Sequence, residues 1–273
     1  MKTFIFYIYK LLNFIKRFIY FYLILGKKFL AGLNWLFSSN EHTSFTKNLS
    51  DYDYINLSQE ISNYLNIELS KVEKKIKFAT SLKIEELISK KKTLPFIDVD
   101  LEAKFDYRLI PFIIYFDADI SNLYEFGFNQ GRIPFLIDEY IKNNKIFNLN
   151  TNYIGIDINS RKGAFCKKIN SKKFKFIYDD VNNFLQGNFQ KDNFNDSCIV
   201  ASTHEIKSEK AIFEFMVKNQ ITPKFIISDN VESNSHFMNY LSEHKQAYKT
   251  KIFKFSDRGK FLEDTYIGLA VRI

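Results

Sequence analysis

The stretch over residues 123–157 constrains the fold of this chain more than any other part of the sequence. A short apolar run there ends at an acid and two glycines, Glu125, Gly127 and Gly131, and apolar residues at helical spacing follow. A second apolar run then ends at another acid, Asp157. This order is typical of a strand, a glycine turn over a ligand, a helix and a second, parallel strand.

The same alternation continues along the chain and predicts an α/β fold. Over residues 119–273 we expect a Rossmann-like, seven-stranded and mostly parallel sheet with helices on both faces. A loop alone separates the last two strands, which predicts an antiparallel last strand in a hairpin at one edge. The predicted strands are 122–126, 153–157, 174–178, 198–201, 224–228, 251–255 and 265–271. The predicted helices are 132–144, 159–169, 180–187, 206–218 and 232–245.

Residues 51–118 form the predicted helical part that precedes the sheet. Apolar residues recur at helical spacing over residues 51–92, which indicates two or three amphipathic helices. Residues 101–116 predict a further helical or mixed segment. We interpret residues 51–118 as a helical cap that covers a sheet edge or a pocket.

Residues 1–50 form an extension of different character. Six cations come before the first acid, Glu41, and they account for six of the eight net positive charges. The remaining sequence carries only +2, which argues against a broad nucleic-acid-binding face. In a helical projection of residues 2–28 the cations fall within an arc of about 120°, opposite an apolar and aromatic face.

Such a helix predicts binding in a membrane interface, and the alternative is packing on its own domain or on a second subunit. The charge-free run at residues 18–26 is shorter than the roughly 20 residues that span a bilayer. Cys166 and Cys198 have neither metal-site spacing nor a disulfide framework, which favours a reducing compartment. We therefore expect a cytoplasmic protein, peripheral on the inner face of the cytoplasmic membrane.

The predicted strand ends carry residues suited to a ligand. Gly127 allows a tight turn and Gly131 a close approach of backbone to ligand. Asp157 is placed to accept hydrogen bonds from two ribose hydroxyls, or to cap a helix starting near residue 160.

The third strand adds Asp179 and Asp180, where a carboxylate can accept a hydrogen bond from an adenine amine. The alternative for Asp180 is to cap the helix that starts at Val181. Acids at three successive strand ends favour an adenosyl cofactor over a dinucleotide.

Five segments at these positions resemble motifs of class I S-adenosylmethionine-dependent methyltransferases. They are EFGFNQG, YIGIDIN, FIYDDV, TPKFIISDN and TYIGLAVRI. The resemblance covers about residues 100–273. More loosely, the chain resembles a bacterial subgroup related to macrocin-type O-methyltransferases. The resemblance implies S-adenosylmethionine as the cofactor. The residues that it implies as cofactor contacts are Glu125, Gly127, Gly131, Asp157 and Asp179, and our predicted cofactor site also includes their neighbours Asn129 and Asp180.

Two departures from that family pattern bear on chemistry. Asn129 occupies a position where the family often has glycine. Metal-dependent relatives carry an acid after strand four, where this chain has Ala201-Ser202-Thr203-His204. Asp229, Asn230 and Glu205 would make a poor magnesium site, so we expect no metal.

His204 is the best candidate for the general base that an oxygen nucleophile needs. A surface or helix-start histidine is the alternative, and His236 and Asp229 are weaker candidates. The acceptor is expected to be a small molecule, a glycan or a lipid-linked compound. The sequence is compatible with a monomer and with an oligomer.

Two other functions stay open at this point. A catalytically degenerate methyltransferase fold would serve as a membrane-associated interaction protein. An NAD-dependent oxidoreductase fits less well, because Asn129 breaks the G-x-G-x-x-G spacing.

Overall fold

The computed structural model describes residues 51–82, 108–129, 131–158, 166, 169–187, 191–203, 206–229, 231, 235–256 and 264–273. The helices are α1 Asp51–Leu65, α2 Leu69–Ser81, α3 Leu109–Asp117, α4 Arg132–Asn144, α5 Val181–Gly187, α6 Lys191–Asn195, α7 Ile206–Lys218 and α8 His236–Glu243. The strands are β1 Asn122–Phe126, β2 Asn152–Ile156, β3 Phe174–Ile177, β4 Ser197–Ala201, β5 Phe225–Ser228, β6 Tyr248–Ser256 and β7 Asp264–Arg272.

The strands form one seven-stranded sheet in the order β3-β2-β1-β4-β5-β7-β6. The first five strands are parallel, and β7 pairs antiparallel with both β5 and β6. This confirms the predicted Rossmann-like sheet and its antiparallel hairpin at one edge.

Strand β1 lies at the centre of the parallel part, between β2 and β4. All five of its residues are buried, because helices cover both of its faces. A strand buried on both faces is apolar nearly throughout, which is why the short apolar runs were visible in the sequence. Leu123 contributes to the core on one face, and Tyr124 and Phe126 contribute to the core on the other.

Helices α1 to α3 share a core with one face of the sheet. Helix α1 runs along the edge strand β6, where the Tyr64 hydroxyl donates to the Lys249 carbonyl at 2.5 Å. Helix α2 contacts α4 through the edge-to-face rings of Phe78 and Tyr140. The Lys75 ammonium of α2 also forms a salt bridge of 2.5 Å with Asp117 at the end of α3.

Several predicted boundaries differ from the structure. Within the helical or mixed segment predicted over residues 101–116, the described helix begins at Leu109. The helix predicted over 232–245 is described from His236 to Glu243. The short helix α6 was not predicted. The predicted extension of residues 1–50, and most of the helix predicted over 159–169, lie outside the described residues. Among the helices that are described, none combines the length and apolarity that crossing a membrane requires.

Candidate active site

The candidate site lies at the carboxyl edge of the sheet, where the strand order reverses. Strand β2 lies on one side of β1 and β4 on the other, so the connections from β1 and from β4 run in opposite directions. In open parallel sheets this switch point forms a crevice that binds ligands. The glycine turn over residues 127–131 directly follows β1 and therefore lies at the crevice.

The turn uses left-handed backbone at three alternating positions. The φ angles are 88° at Gly127, 49° at Asn129 and 79° at Gly131. Asparagine enters this region more readily than most residues that carry a side chain. This explains how Asn129 can stand where the resembling family often has glycine.

Hydrogen bonds from two neighbouring strands hold the turn. The Gly127 amide donates to the Ile156 carbonyl at 2.7 Å, and the Asn129 amide donates to Asp157 Oδ2 at 2.8 Å. From β4, the Ser202 amide donates to the Phe126 carbonyl at 3.0 Å. Asp157 therefore shapes the turn, in addition to lying where a ligand would meet it.

Both glycines of the turn lack space for a side chain. A Cβ atom on Gly127 would lie 3.0 Å from the Ser202 carbonyl oxygen and 3.0 Å from the Thr203 amide nitrogen. The Cys166 sulfur occupies the space where a Cβ atom on Gly131 would be. Close packing against Ser202, Thr203 and Cys166 thus favours glycine at both positions, and glycine also permits a close approach of a ligand to the backbone.

Glu125 lies beneath the turn and is only 2% exposed. The Tyr153 hydroxyl donates to Glu125 Oε2 at 2.5 Å. Burial raises the pKa of the Glu125 carboxyl to about 8; the Tyr153 hydrogen bond opposes that rise, Asp157 adds to it and Arg108 opposes it. The acid predicted as a cofactor contact is thus a buried group with a perturbed pKa, which is typical of functional sites.

The two acids after β3 have separate local partners. Asp180 Oδ1 accepts the Asn182 amide at 2.8 Å, so this side chain caps α5 as the alternative interpretation had it. Asp179 Oδ1 accepts the Asp180 amide at 2.8 Å and the Asn183 side-chain amide at 3.1 Å. Of the pair, Asp179 stays the better candidate for a ligand contact.

Two exposed apolar side chains lie next to Asp157 and Asp179 in the sequence and were not singled out from it. Ile158 follows Asp157 directly and is 71% exposed, and Tyr178 precedes Asp179 and is 41% exposed. Strands β2 and β3 are neighbours, so both side chains lie at the same end of the sheet. The sequence signal for these two residues is that a large apolar side chain stands next to each strand-end acid. A planar base could stack on such a side chain.

The structure describes only part of the segments that follow the carboxyl ends of β4 and β5. The predicted base His204, with Glu205 and Asn230, lies outside the described residues. Asp229 follows β5 and is buried, and its amide donates to the Ala201 carbonyl at 3.1 Å. His236 begins α8 and is half-buried.

A buried acid on the same side was also missed. Glu209, in the first turn of α7, accepts a hydrogen bond of 2.6 Å from the Ser228 hydroxyl at the end of β5. Within the described part of the chain, no three His, Cys, Asp or Glu side chains are grouped as metal ligands would be.

No model of a known protein family matches the chain, and neither does the sequence of any curated protein. Several solved structures have a related course of the chain. A Podospora anserina methyltransferase, PaMTH1, in its SAH-bound form, has a TM-score of 0.47 at 9% identity, covering 83% of this chain and 98% of its own. The Streptomyces achromogenes O-methyltransferase TomG, in complex with SAM, has a TM-score of 0.44 at 10% identity, covering 82% and 99%.

A Bacillus cereus O-methyltransferase in complex with SAH has a TM-score of 0.42 at 13% identity, covering 81% of this chain and 99% of its own. With TM-scores below 0.5, these structures carry no argument about the function of this chain, which has to come from its own strand order and turn geometry. Those two features are the basis of the functional conclusion.

Proposed function

We propose that this chain is an S-adenosylmethionine-dependent methyltransferase that methylates an oxygen of a small-molecule, glycan or lipid-linked acceptor. The observation that carries the proposal is the joint placement of Asp157, the turn that begins at Gly127 and Asp179 along the carboxyl edge of the sheet. This arrangement fits an extended adenosyl ligand. It has a glycine turn for an amino-acid end, a carboxylate for a ribose and a second carboxylate for an adenine amine.

In this proposal each part of the crevice has one task. Asp157 binds the ribose hydroxyls, while Ile158 and Tyr178 stack on the adenine and Asp179 accepts from its amine. The glycine turn takes the amino-acid end of the cofactor, which supplies an electrophilic methyl group when bound. The protein mainly aligns the acceptor oxygen with that methyl group. His204 is the proposed base that removes the proton of the acceptor.

Isothermal calorimetry tests this proposal against its two alternatives. The chain is expected to bind S-adenosylhomocysteine and to show no measurable heat with NADH under the same conditions. Binding of NADH alone would favour an oxidoreductase. Binding of neither ligand would favour a catalytically degenerate fold that serves as an interaction protein.

A second part of the proposal concerns the membrane, and the direction of α1 supports it. Glu60 pairs with Lys251 at 3.3 Å and Tyr64 bonds to Lys249, so α1 runs antiparallel to β6. The nine residues from Glu60 back to Asp51 span about 14 Å, and the five from Lys251 to Ser256 about 17 Å. Asp51, the first residue of α1, thus lies toward the carboxyl edge that holds the candidate site, and the cationic extension precedes Asp51 in the sequence.

We propose that residues 2–28 bind an anionic membrane surface and that the carboxyl edge faces it. In vesicle cosedimentation, a triple Lys→Gln variant in the extension is expected to partition about 100-fold more weakly, since each cation contributes about 1 kcal/mol. The substituted residues are Lys2, Lys10 and Lys16. The matched control replaces three exposed lysines of the body, which are Lys71, Lys142 and Lys210. Equal partitioning of both variants, or no partitioning of the intact chain, would contradict membrane binding.

The orientation can be measured with two equally exposed positions. Ile158 lies at the carboxyl edge and Phe147 precedes β2 at the opposite edge, and each is 71% exposed. A fluorophore on Ile158→Cys is expected to be quenched by a lipid-borne quencher, and one on Phe147→Cys is not. Cys166 and Cys198 are buried, which limits background labelling. Equal quenching at the two positions would contradict the proposed orientation.

A further inference from the structure

Tyr153 connects the buried acid Glu125 to the glycine turn. Glu125 on β1 pairs in register with Gly155 on β2, and Tyr153 lies two residues earlier on the same strand. Residues two apart on a strand share one face of the sheet, so the Tyr153 ring lies on the side that carries Glu125. Its hydroxyl reaches Glu125 Oε2 at 2.5 Å, and both side chains are buried.

Gly155 provides the space for this contact. A Cβ atom there would lie 3.0 Å from the Tyr153 hydroxyl oxygen and 2.8 Å from Phe128 Cδ1. The Tyr153 ring therefore extends over Gly155 and shares that space with a side chain of the turn itself. Phe128 is held in place by the rings of Phe176 and Tyr178, at 5.5 and 5.7 Å between centroids. Tyr153 thus packs beside the turn while it bonds the acid beneath it.

The charged and titratable groups around Glu125 come from several segments. Arg108 precedes α3, Asp157 follows β2, and Tyr153 and Cys166 lie beside the acid. With burial the strongest influence, the pKa of Glu125 is about 8, close to the pH at which the protein would work. Loss of a single contact therefore shifts the pKa and changes the ionised fraction of Glu125 at that pH.

We propose that Tyr153 is a positioning residue whose hydroxyl stabilises the anionic form of Glu125 beneath the turn, so that the site prefers a positively charged ligand over its neutral counterpart when Glu125 is charged. This inference rests on the proposed function, because S-adenosylmethionine carries a sulfonium charge and S-adenosylhomocysteine does not. A buried carboxylate stabilises a nearby cation more strongly than an exposed carboxylate does, since the local dielectric is low. The two ligands otherwise present the same groups to the protein.

Infrared difference titration of Tyr153→Phe tests the first half without any ligand. The carbonyl stretch of protonated Glu125, identified by its loss in Glu125→Gln, is expected to titrate about one pH unit higher in the variant. The reason is that a hydrogen bond to the charged form is lost. Tyr115→Phe is the matched control, because Tyr115 is buried on the same face and donates to the Thr151 carbonyl instead. An unchanged titration in Tyr153→Phe would overturn the inference.

Calorimetry with both ligands between pH 6.5 and 9.5 tests the second half. The preference for S-adenosylmethionine is expected to rise with pH, because Glu125 becomes an anion as pH passes its pKa. The rise should move about one unit higher in Tyr153→Phe and disappear in Glu125→Gln. A preference that stays flat in the wild type would overturn this half. Binding of neither ligand would overturn the proposed function, while the infrared titration would still decide the role of Tyr153.

Discussion

Replacing Asp157 with alanine is expected to weaken binding of S-adenosylhomocysteine by on the order of 100-fold or more. The proposed role has one carboxylate accept hydrogen bonds from two ribose hydroxyls, and each such bond contributes about 1.5–3 kcal/mol. The variant also loses the 2.8 Å bond from the Asn129 amide, so the turn becomes less ordered. Calorimetry on the wild type and the variant measures the difference.

Two controls separate binding from general damage. Asp119→Ala removes an exposed carboxylate that precedes β1 at the opposite edge of the sheet, and it should leave affinity unchanged. Asp157→Asn keeps an acceptor for the Asn129 amide and should weaken binding less than alanine does. Equal affinity of the wild type and Asp157→Ala would refute the assignment of the ribose site.

Replacing Gly127 with alanine is expected to lower the free energy of unfolding by about 2–4 kcal/mol and to abolish detectable cofactor binding. A residue with a side chain is strained at a φ of 88°. The new methyl group would also approach backbone atoms of Ser202 and Thr203 to 3.0 Å, and backbone moves aside less readily than a side chain. Urea unfolding at constant pH gives the stability change.

Gly187→Ala provides the matched glycine control for this experiment. Among the described residues, and apart from its chain neighbours and the backbone of its own helix, no atom lies within 4 Å of the Cβ position at Gly187, the last residue of α5. Alanine favours a helix over glycine by up to about 1 kcal/mol, so this variant should be as stable as the wild type or slightly more stable. A Gly127→Ala protein with wild-type stability would show that the turn is not under the constraint argued above.

The sequence was sufficient to predict most of the parallel sheet. The bounds of β1, α4 and α7 match the predicted ranges at both ends. A strand buried on both faces needs a short apolar run bounded by polar residues, and such runs occur at few positions, so these strands could be located in the sequence. Gly131, at the position before α4, gave a further boundary signal.

Short elements with one anchoring side chain could not be predicted in this way. Helix α6 has five residues and a single large apolar one, Phe194, which is too little for a periodic pattern. Its ring stacks on Tyr124 of β1 at 4.4 Å between centroids, a contact between residues 70 positions apart. Tertiary packing, which a local pattern does not contain, stabilises this helix.

In the candidate site, too, a local sequence pattern predicts some residues, whereas contacts that depend on tertiary packing could not be predicted. Asp157 could be found because it is the last residue of a predicted strand, and the capping role of Asp180 was among the predicted alternatives. The bond from Tyr153 to Glu125 joins residues 28 positions apart and depends on the register of β1 with β2. The sequence predicts that the strands exist, whereas register follows from packing on both faces. The second role of Asp157, as the acceptor for the turn, was invisible for the same reason.

The packing of α1 and α2 on the sheet decides where a shortened form of this chain can begin. Ile61, Val72 and Ile76 from these helices share one apolar core with Phe253 and Leu269 of the terminal hairpin. A fragment that starts at residue 119 would uncover that core and the edge of β6, and exposed apolar strands associate with one another. A shortened form for expression and crystallisation therefore has to keep α1 and α2 together with the sheet.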